Sequence, residues 1–138
     1  MGQMSAKLHI LIIDNDPNTL KSCEEILSSR KNATVTTYNG QEATAVICSC
    51  APDIVLTELL MPGKDGIELL REIKLTSPQI KVIAMSGGGA LLPPEFVLSL
   101  ARKLGADGTI SKPVDAKTLL EAIEMALTGR AQRGPDFP

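Results

Sequence analysis

Polar side chains that can do chemistry follow apolar stretches at four places in the chain. They are Asp14, Asn15 and Asp16 after the first stretch, Glu58 after the third, Ser86 after the fourth and Lys112 after the fifth. Clustered carboxylates suit Mg²⁺, which takes oxygen ligands and keeps waters to share with a phosphate. A hydroxyl and an ammonium nearby suit the phosphate oxygens themselves. Brought together, these groups would form a site for phosphate chemistry.

The stretch from Pro52 to Gly66 carries the central acid of this set. Its apolar run Ile54-Val55-Leu56 suits a strand buried on both faces, and Met61-Pro62-Gly63 marks a turn. Glu58 lies just before that turn. In an open α/β sheet this is where a parallel strand delivers its carboxyl end to the binding crevice.

The apolar periodicity predicts five strands alternating with five helices. The strands are predicted at 8–13, 34–38, around 54–56, 81–85 and 108–111. The helices are predicted from Pro17 to about Ser29, over Ala43 to Cys50, around Ile67 to Ile73, around Val97 to Leu104, and from Asp115 to about Leu127. Because each parallel connection needs a crossover, the alternation predicts a doubly wound α/β fold with a five-stranded parallel sheet. The carboxyl ends of its strands lie along one edge, so the polar residues should converge there.

Helical spacing also predicts which side chains face the core. They are Leu20, Cys23 and Leu27 in the first helix, Ala43, Val46, Ile47 and Cys50 in the second, Ile67, Leu70 and Ile73 in the third, Val97, Leu100, Ala101 and Leu104 in the fourth, and Leu119, Ile123 and either Leu127 or Ala126 in the fifth. Asp16 is predicted to cap the first helix, while Gly105 and Gly129 end the last two.

Composition excludes several classes of function. With 138 residues, 43% of them hydrophobic, and a net charge of -2, the chain suits one ordinary globular domain without a nucleic-acid patch. No apolar run is long enough to span a bilayer and no signal segment is visible, so we expect a cytoplasmic protein. We expect a lead-in at 1–7, one domain at 8–128, and a tail or linker start at 129–138. Three cysteines without metal-ligand spacing suggest reduced thiols packed as small apolar side chains.

The chain resembles the receiver domain of bacterial two-component response regulators, roughly from Leu8 to Leu127. The resemblance rests on the acid cluster, the run Pro-Asp-Ile-Val-Leu-Thr-Glu-Leu-Leu-Met-Pro-Gly-Lys-Asp-Gly, Ser86, and Ser-Lys-Pro at 111–113, in register with five βα units. It implies a flavodoxin-like (βα)5 fold. It also implies a phosphorelay in which a histidine kinase phosphorylates an aspartate that ends the third strand, with Mg²⁺ held by an acidic pair. A hydroxyl after the fourth strand and a lysine before a proline, often in a cis peptide bond, bind the phosphoryl oxygens.

Matched residue by residue, Asp14, Ser86 and Lys112 fit that pattern. Three positions do not: Glu58 stands at the phosphoacceptor position, Asn15 at the second acid and Thr109 at the aromatic switch position. The extra methylene of Glu58 misplaces the nucleophile, and Asn15 removes a charge, so a metal site built from Asp14, Asn15 and Glu58 should hold Mg²⁺ weakly. The longer carboxylate can instead reach Lys112 and partly mimic a phosphoryl group.

These departures predict an atypical, phosphomimetic receiver that is not an enzyme. We expect it to bind an output protein or effector domain through the fourth helix, fifth strand and fifth helix, with a histidine kinase or phosphotransfer protein as the partner that the family implies. An alternative is a receiver with residual Mg²⁺-dependent phosphoacceptor activity. A nucleotide or flavin binder is disfavoured, because the first turn, Asp-Asn-Asp-Pro, lacks a glycine-rich fingerprint and its acids would repel a pyrophosphate.

Simpler interpretations of single residues stay open at this point. Glu58 could be a solvated loop carboxylate, or an introduced phosphomimetic substitution rather than natural divergence. His9 suits packing or a surface position at the far edge of the sheet. The run Gly87 to Gly89 suggests a mobile loop or a phosphate cradle, and Leu91 to Pro94 suggests an apolar patch for a partner or a lid.

Overall fold

The structure, a computed structural model, describes residues 8–30, 33–39, 42–61, 66–87 and 93–129. Strands and helices alternate in this order: β1 (Leu8–Ile13), α1 (Pro17–Ser28), β2 (Ala33–Tyr38), α2 (Ala43–Cys50), β3 (Ile54–Glu58), α3 (Gly66–Thr76), β4 (Lys81–Ser86), α4 (Pro94–Lys103), β5 (Gly108–Ser111) and α5 (Ala116–Thr128). The predicted alternation is therefore confirmed. The lead-in 1–7, the tail from 130, the turn at 62–65 and residues 88–92 of the predicted glycine loop and apolar patch lie outside the described residues.

The strands form one parallel sheet in the order β2-β1-β3-β4-β5. In a parallel sheet, each pair of consecutive strands must be joined by a crossover connection, here a helix. The chain passes from β1 to β2 on one side and then to β3, β4 and β5 on the other, so the strand order changes direction at β1. The predicted doubly wound fold is thus confirmed. The carboxyl ends of β1 and β3 lie side by side at the middle of the sheet, with those of β4 and β5 beyond them.

Helices cover both faces of the sheet, which explains why the strands read as nearly continuous apolar runs. In β1 the side chains alternate, so Leu11 and Ile13 pack with α2, α3 and α4, whereas Ile10 and Ile12 pack with α1 and α5. The described helix of greatest length has 13 residues, and none of the described helices is long and apolar enough to cross a membrane.

Caps fix where the helices around the polar edge begin. The Asp16 carboxylate accepts a hydrogen bond from the Asn18 amide (3.0 Å), with Pro17 in the first turn, as predicted. Asp115 caps α5 in the same way, accepting from the Thr118 amide at 2.8 Å. That hydrogen bond lowers the pKa of Asp115. Gly129 follows α5 with a left-handed φ of 77°.

Some predicted core positions are wrong. Leu100 is 36% exposed, because α4 turns Val97, Leu98 and Ala101 to the sheet instead. In α5 the buried residue of the predicted pair is Ala126, and Leu127 is 45% exposed.

The cysteine prediction is also wrong in part. Cys23 is fully buried, but Cys48 is exposed and Cys50 only partly buried, since α2 covers the sheet with Ala43 and Ile47. All three are free thiols, as expected.

Candidate functional site

Asp14 follows the last residue of β1 and is fully buried. By the alternation along the strand it shares the face of Ile10 and Ile12, toward α1 and α5. Its Oδ1 atom accepts a hydrogen bond from the Asp16 amide at 2.9 Å, and its Oδ2 atom lies 2.6 Å from Lys112 Nζ. A carboxylate buried this deeply requires such partners, because an unpaired charge in the interior is costly.

Glu58 is the last residue of β3 and is 5% exposed. Its Oε1 atom lies 2.6 Å from Lys112 Nζ, and its Oε2 atom accepts hydrogen bonds from the amides of Leu59 and Leu60, both at 2.9 Å. The carboxylate thus curls back onto the chain that follows it, and both of its oxygens are engaged. It is not a solvated loop carboxylate.

Lys112 follows β5 and precedes Pro113 in a cis peptide bond, as the resemblance implied. Its amide donates to the Ser86 carbonyl at 3.1 Å, which holds the start of this loop against the end of β4. Burial disfavours the charged ammonium, but hydrogen bonds and charges from Asp14 and Glu58 outweigh it and raise the pKa of Lys112. The amine is therefore a firmly held cation between two carboxylates.

The other two predicted pocket residues lie differently. Ser86 is the fully buried last residue of β4, where it pairs in register with Ser111 beside the Lys112 loop. Asn15 is exposed, and its side chain makes no hydrogen bond with any residue that the structure describes. The structure thus brings Asp14, Glu58 and Lys112 into direct contact with Ser86 nearby, and leaves Asn15 outside the cluster.

The donor set does not suit a divalent cation well. The two facing carboxylate oxygens, Asp14 Oδ2 and Glu58 Oε1, both contact the Lys112 ammonium, so a metal ion would have to displace it. Asp16 uses its carboxylate to cap α1. Over the described ranges there is no group of three His, Cys, Asp or Glu side chains that could hold a metal ion.

Thr109, the predicted switch position, is buried in β5. The alternation turns it away from Ile110 and toward α4, where Arg102 Nη1 donates a hydrogen bond to its hydroxyl at 2.7 Å. This bond ties the last turn of α4 to β5. Sequence reasoning missed Arg102, whose one signal is a cation in the last turn of a helix seven residues before Thr109.

Cys23, also not foreseen as part of the site, lies on α1 beneath the cluster. Burial and the negative charge of Asp14 raise the pKa of its thiol to about 11, although the Lys112 charge opposes this. The thiol is therefore neutral and unreactive at ordinary pH.

Comparison with known proteins identifies the family of this chain. The response regulator receiver domain family matches residues 10–124, most of the chain. The chain belongs to this family. Sporulation initiation phosphotransferase F of Bacillus subtilis is 30% identical over 118 residues, which span 86% of this chain and 92% of that protein.

Other relatives are longer than this chain. The transcriptional regulatory protein GlrR of Escherichia coli is 34% identical over 119 residues, which make up 86% of this chain but 26% of that protein. Among solved structures, a receiver domain protein of Clostridium thermocellum superposes with a TM-score of 0.76 at 31% identity, covering 88% of this chain and 94% of that one. A LuxR-family response regulator of Aurantimonas superposes with a TM-score of 0.78 at 27% identity, covering 95% of this chain and 92% of that one.

Proposed function

We propose that this receiver domain works in two-component signalling as a binding module that is not itself phosphorylated. In this proposal Glu58 occupies the phosphoacceptor position, and its carboxylate takes the place of a phosphoryl group. The domain then binds its partner without catalysing a reaction, and this binding does not require Mg²⁺, because the Lys112 ammonium occupies the oxygens of Asp14 and Glu58 that a metal ion would use.

The proposal rests on one observation: both oxygens of the Glu58 carboxylate already have binding partners. One oxygen is 2.6 Å from the Lys112 ammonium, and the other accepts from two backbone amides. A nucleophile needs a free lone pair aimed at the incoming phosphorus, and misplacement by about an ångström costs roughly a hundredfold in rate. This supports a carboxylate that serves as a fixed charge and not as an acceptor.

The mimicry is partial for an electrostatic reason. Glu58 brings one negative charge to Lys112, whereas a phosphoryl group carries about 1.5 to 2 at neutral pH. Thr109 also lacks an aromatic ring, and its hydroxyl is bound to Arg102. We infer that α4 is held in one position, so that the state of the output surface is permanent and does not change with a signal at Glu58.

The output surface in this proposal comprises α4, β5 and α5. Phe96 on α4 is 57% exposed and Leu100, one turn later, is 36% exposed. Exposed apolar side chains on one helix face support contact with an output protein or effector domain. A histidine kinase or phosphotransfer protein remains the upstream partner that the family suggests.

A phosphotransfer comparison tests the proposal. The parent protein, Glu58→Asp and Glu58→Gln are each incubated with acetyl phosphate and Mg²⁺, and intact mass is measured. We expect a phosphoryl adduct on Glu58→Asp alone, because the shorter carboxylate cannot reach both Lys112 and the amides as Glu58 does. Glu58→Gln has no nucleophile and reports adventitious modification.

The second candidate function is a receiver with residual phosphoacceptor activity. It is favoured by the position of Asp14, Ser86 and Lys112, which lie together at the carboxyl edge of the sheet. An adduct on the parent protein that is absent from Glu58→Gln would establish this function and overturn the first. The nucleotide or flavin alternative gains no support from the family match.

A further inference from the structure

A cavity between α2 and α3 lies at the amino edge of the sheet, away from the Asp14–Glu58–Lys112 cluster. Its volume is about 430 Å³, and small-molecule sites have volumes of roughly 300 to 1,000 Å³. Asp53, which lines the cavity, precedes β3, and Glu58 ends that strand. The usual strand rise puts about 16 Å between these two residues. The receiver chemistry at Glu58 makes no use of this cavity.

The inner part of the cavity is apolar. It is lined by Ile47 from α2, by Leu69 and Ile73 from α3, and by Ile80 just before β4. All four residues belong to the core on the α2–α3 face of the sheet. The apolar part of a ligand that entered the cavity would leave water and contact these side chains, which favours binding.

The polar groups around the α3 side of the cavity mainly accept hydrogen bonds. Thr44 Oγ1 donates to Glu72 Oε1 at 2.9 Å, and Thr76 Oγ1 donates to the Glu72 carbonyl at 2.8 Å. Because each hydroxyl has one proton, both oxygens can offer a further ligand only their lone pairs. Ionised carboxylates such as those of Glu72 and Asp53 also act only as acceptors. These groups therefore favour a ligand that donates hydrogen bonds.

The charges that line the cavity are all negative. They belong to Asp53 and Glu72, and the described residues that line the cavity include no lysine, arginine or histidine. Ser77 and Gln79 also line it and carry no charge. The cavity therefore favours a cation over a neutral ligand or an anion.

The basic residues nearest in the chain are directed elsewhere. Lys74 Nζ lies 2.6 Å from the Asp107 carboxylate. Lys81 precedes Val82 in β4, and the alternation of the strand turns it to the opposite face of the sheet. The ring of His9 is 3.0 Å from a threonine hydroxyl of β2. None of these three side chains lines the cavity.

We propose that the α2–α3 cavity binds a small amphiphilic amine. The apolar chain of the amine lies against Ile47 and Ile73, and its ammonium donates to the acceptors around Asp53 and Glu72. An ammonium has three donors and no acceptor, which matches these groups. An alcohol of the same length lacks the charge, and a fatty acid brings a charge of the wrong sign. This site does not rest on the function proposed for Glu58.

Titration with four simple compounds tests the chemistry of the site. The full chain is titrated with octylamine, which is protonated at neutral pH like a lysine side chain, and the backbone amide signals of Thr44, Cys48 and Thr76 are followed. We expect saturable shifts, and we expect 1-octanol to bind at least about tenfold more weakly because it lacks the charge. Octanoate, which is an anion, and ethylamine, which has almost no apolar chain, should give no saturable shift.

Matched variants locate the site. Glu72→Gln removes one negative charge but keeps an oxygen that can accept from Thr44, and it should raise the dissociation constant of octylamine at least about fivefold. Glu68→Gln makes the same charge change in the first turn of α3, outside the cavity, and should leave the affinity unchanged. Cys48→Phe narrows the cavity and should abolish binding, whereas Ser49→Phe, one residue on, should not. Circular dichroism checks that each variant is folded.

Three results would each overturn the proposal. They are the lack of a saturable shift with octylamine, equal affinities for octylamine and 1-octanol, and equal losses of affinity in Glu72→Gln and Glu68→Gln. None of them depends on whether Glu58 accepts a phosphoryl group, so this proposal and the proposed function can fail separately.

Discussion

The Glu58 side chain is one methylene longer than that of an aspartate, and this extra length decides which groups its carboxylate can reach. It spans from the end of β3 to Lys112 while its second oxygen returns to the amides of Leu59 and Leu60. With Asp14 on the other side of the same ammonium, two buried carboxylates share one partly exposed cation. The charge of Lys112 thus stabilises two buried anions at once.

Removing this cation should be costly. Lys112→Met leaves two buried carboxylates facing each other, and we expect the free energy of unfolding to fall by about 2 kcal/mol, less than for a fully buried pair because the amine is partly exposed. Urea denaturation measures the loss.

A double-mutant cycle separates the ion pairs from simple loss of packing. Adding Glu58→Gln to Lys112→Met removes one of the unpaired charges, so about 1 kcal/mol should return. If the two substitutions were strictly additive, the ion pair between Lys112 and Glu58 would contribute nothing to stability.

Cys23 and Lys112 also give the fold a defined response to alkaline pH. The pKa of the Cys23 thiol is about 11 in the folded protein against 9.0 for an ordinary thiol. The unfolded chain therefore loses this proton first as pH rises, and the folded state becomes less stable. Between about pH 9 and 11 we expect a loss of up to roughly 3 kcal/mol, at about 1.4 kcal/mol for each pH unit.

Denaturation at a series of pH values with Cys23→Ala as the comparison checks this. The Cys23→Ala variant should be less stable at neutral pH because the smaller side chain leaves a cavity. Between pH 9 and 11, however, its free energy of unfolding should fall less than that of the parent. The raised pKa of Lys112 adds a contribution that is full below 10.5, the ordinary lysine value, and is lost as pH rises above it, because the unfolded chain then gives up the proton first. Equal slopes in parent and variant would contradict the account of Cys23.

At the scale of elements, the start of α3 fixes the backbone that follows Glu58. A Cβ atom at Gly66 would lie 2.2 Å from the Glu58 carbonyl oxygen and 2.6 Å from Leu59 Cα. The Gly66 amide donates to the Leu59 carbonyl at 3.0 Å. The helix can approach the strand end this closely only because the residue has no side chain.

Gly66→Ala should therefore push α3 away from β3. We expect a loss of about 2 to 4 kcal/mol in stability, because the obstacle is backbone and cannot rotate aside. Thermal unfolding with Gly87→Ala as the matched control measures it. There an added Cβ would meet only the Lys112 side chain, at an ordinary 3.6 Å. Similar effects of the two substitutions would show that the contact at Gly66 does not constrain the fold.

Sequence periodicity was sufficient to predict the helices and strands. It was not sufficient to predict, for every helix, which side packs against the sheet. Strands β1 and β3 contain the apolar runs Ile10 to Ile13 and Ile54 to Leu56, each bounded by turn residues, so their existence was predictable. Helix α4 is apolar on several sides, with Phe96, Val97, Leu98 and Leu100 within five residues, and spacing alone could not decide which side meets the sheet. The error at Leu100 follows from this ambiguity.

At the scale of the whole molecule, parallel topology made the site predictable. Once the strands alternate with helices, their carboxyl ends must share an edge, and Asp14, Glu58 and Lys112 meet there. What the sequence could not supply were rotamers and pairings: that Asn15 stays exposed, and that Arg102 binds Thr109. Those depend on packing between elements distant in sequence.

We propose that the Glu58 carboxylate closes the pocket to phosphoryl groups. Fluoroberyllate with Mg²⁺, followed through the backbone amide signals of Leu59, Leu60 and Lys112, tests it most directly, with Glu58→Asp measured beside the parent. We predict that these signals stay in place in the parent and shift in Glu58→Asp. A saturable shift of the same signals in the parent would contradict the claim.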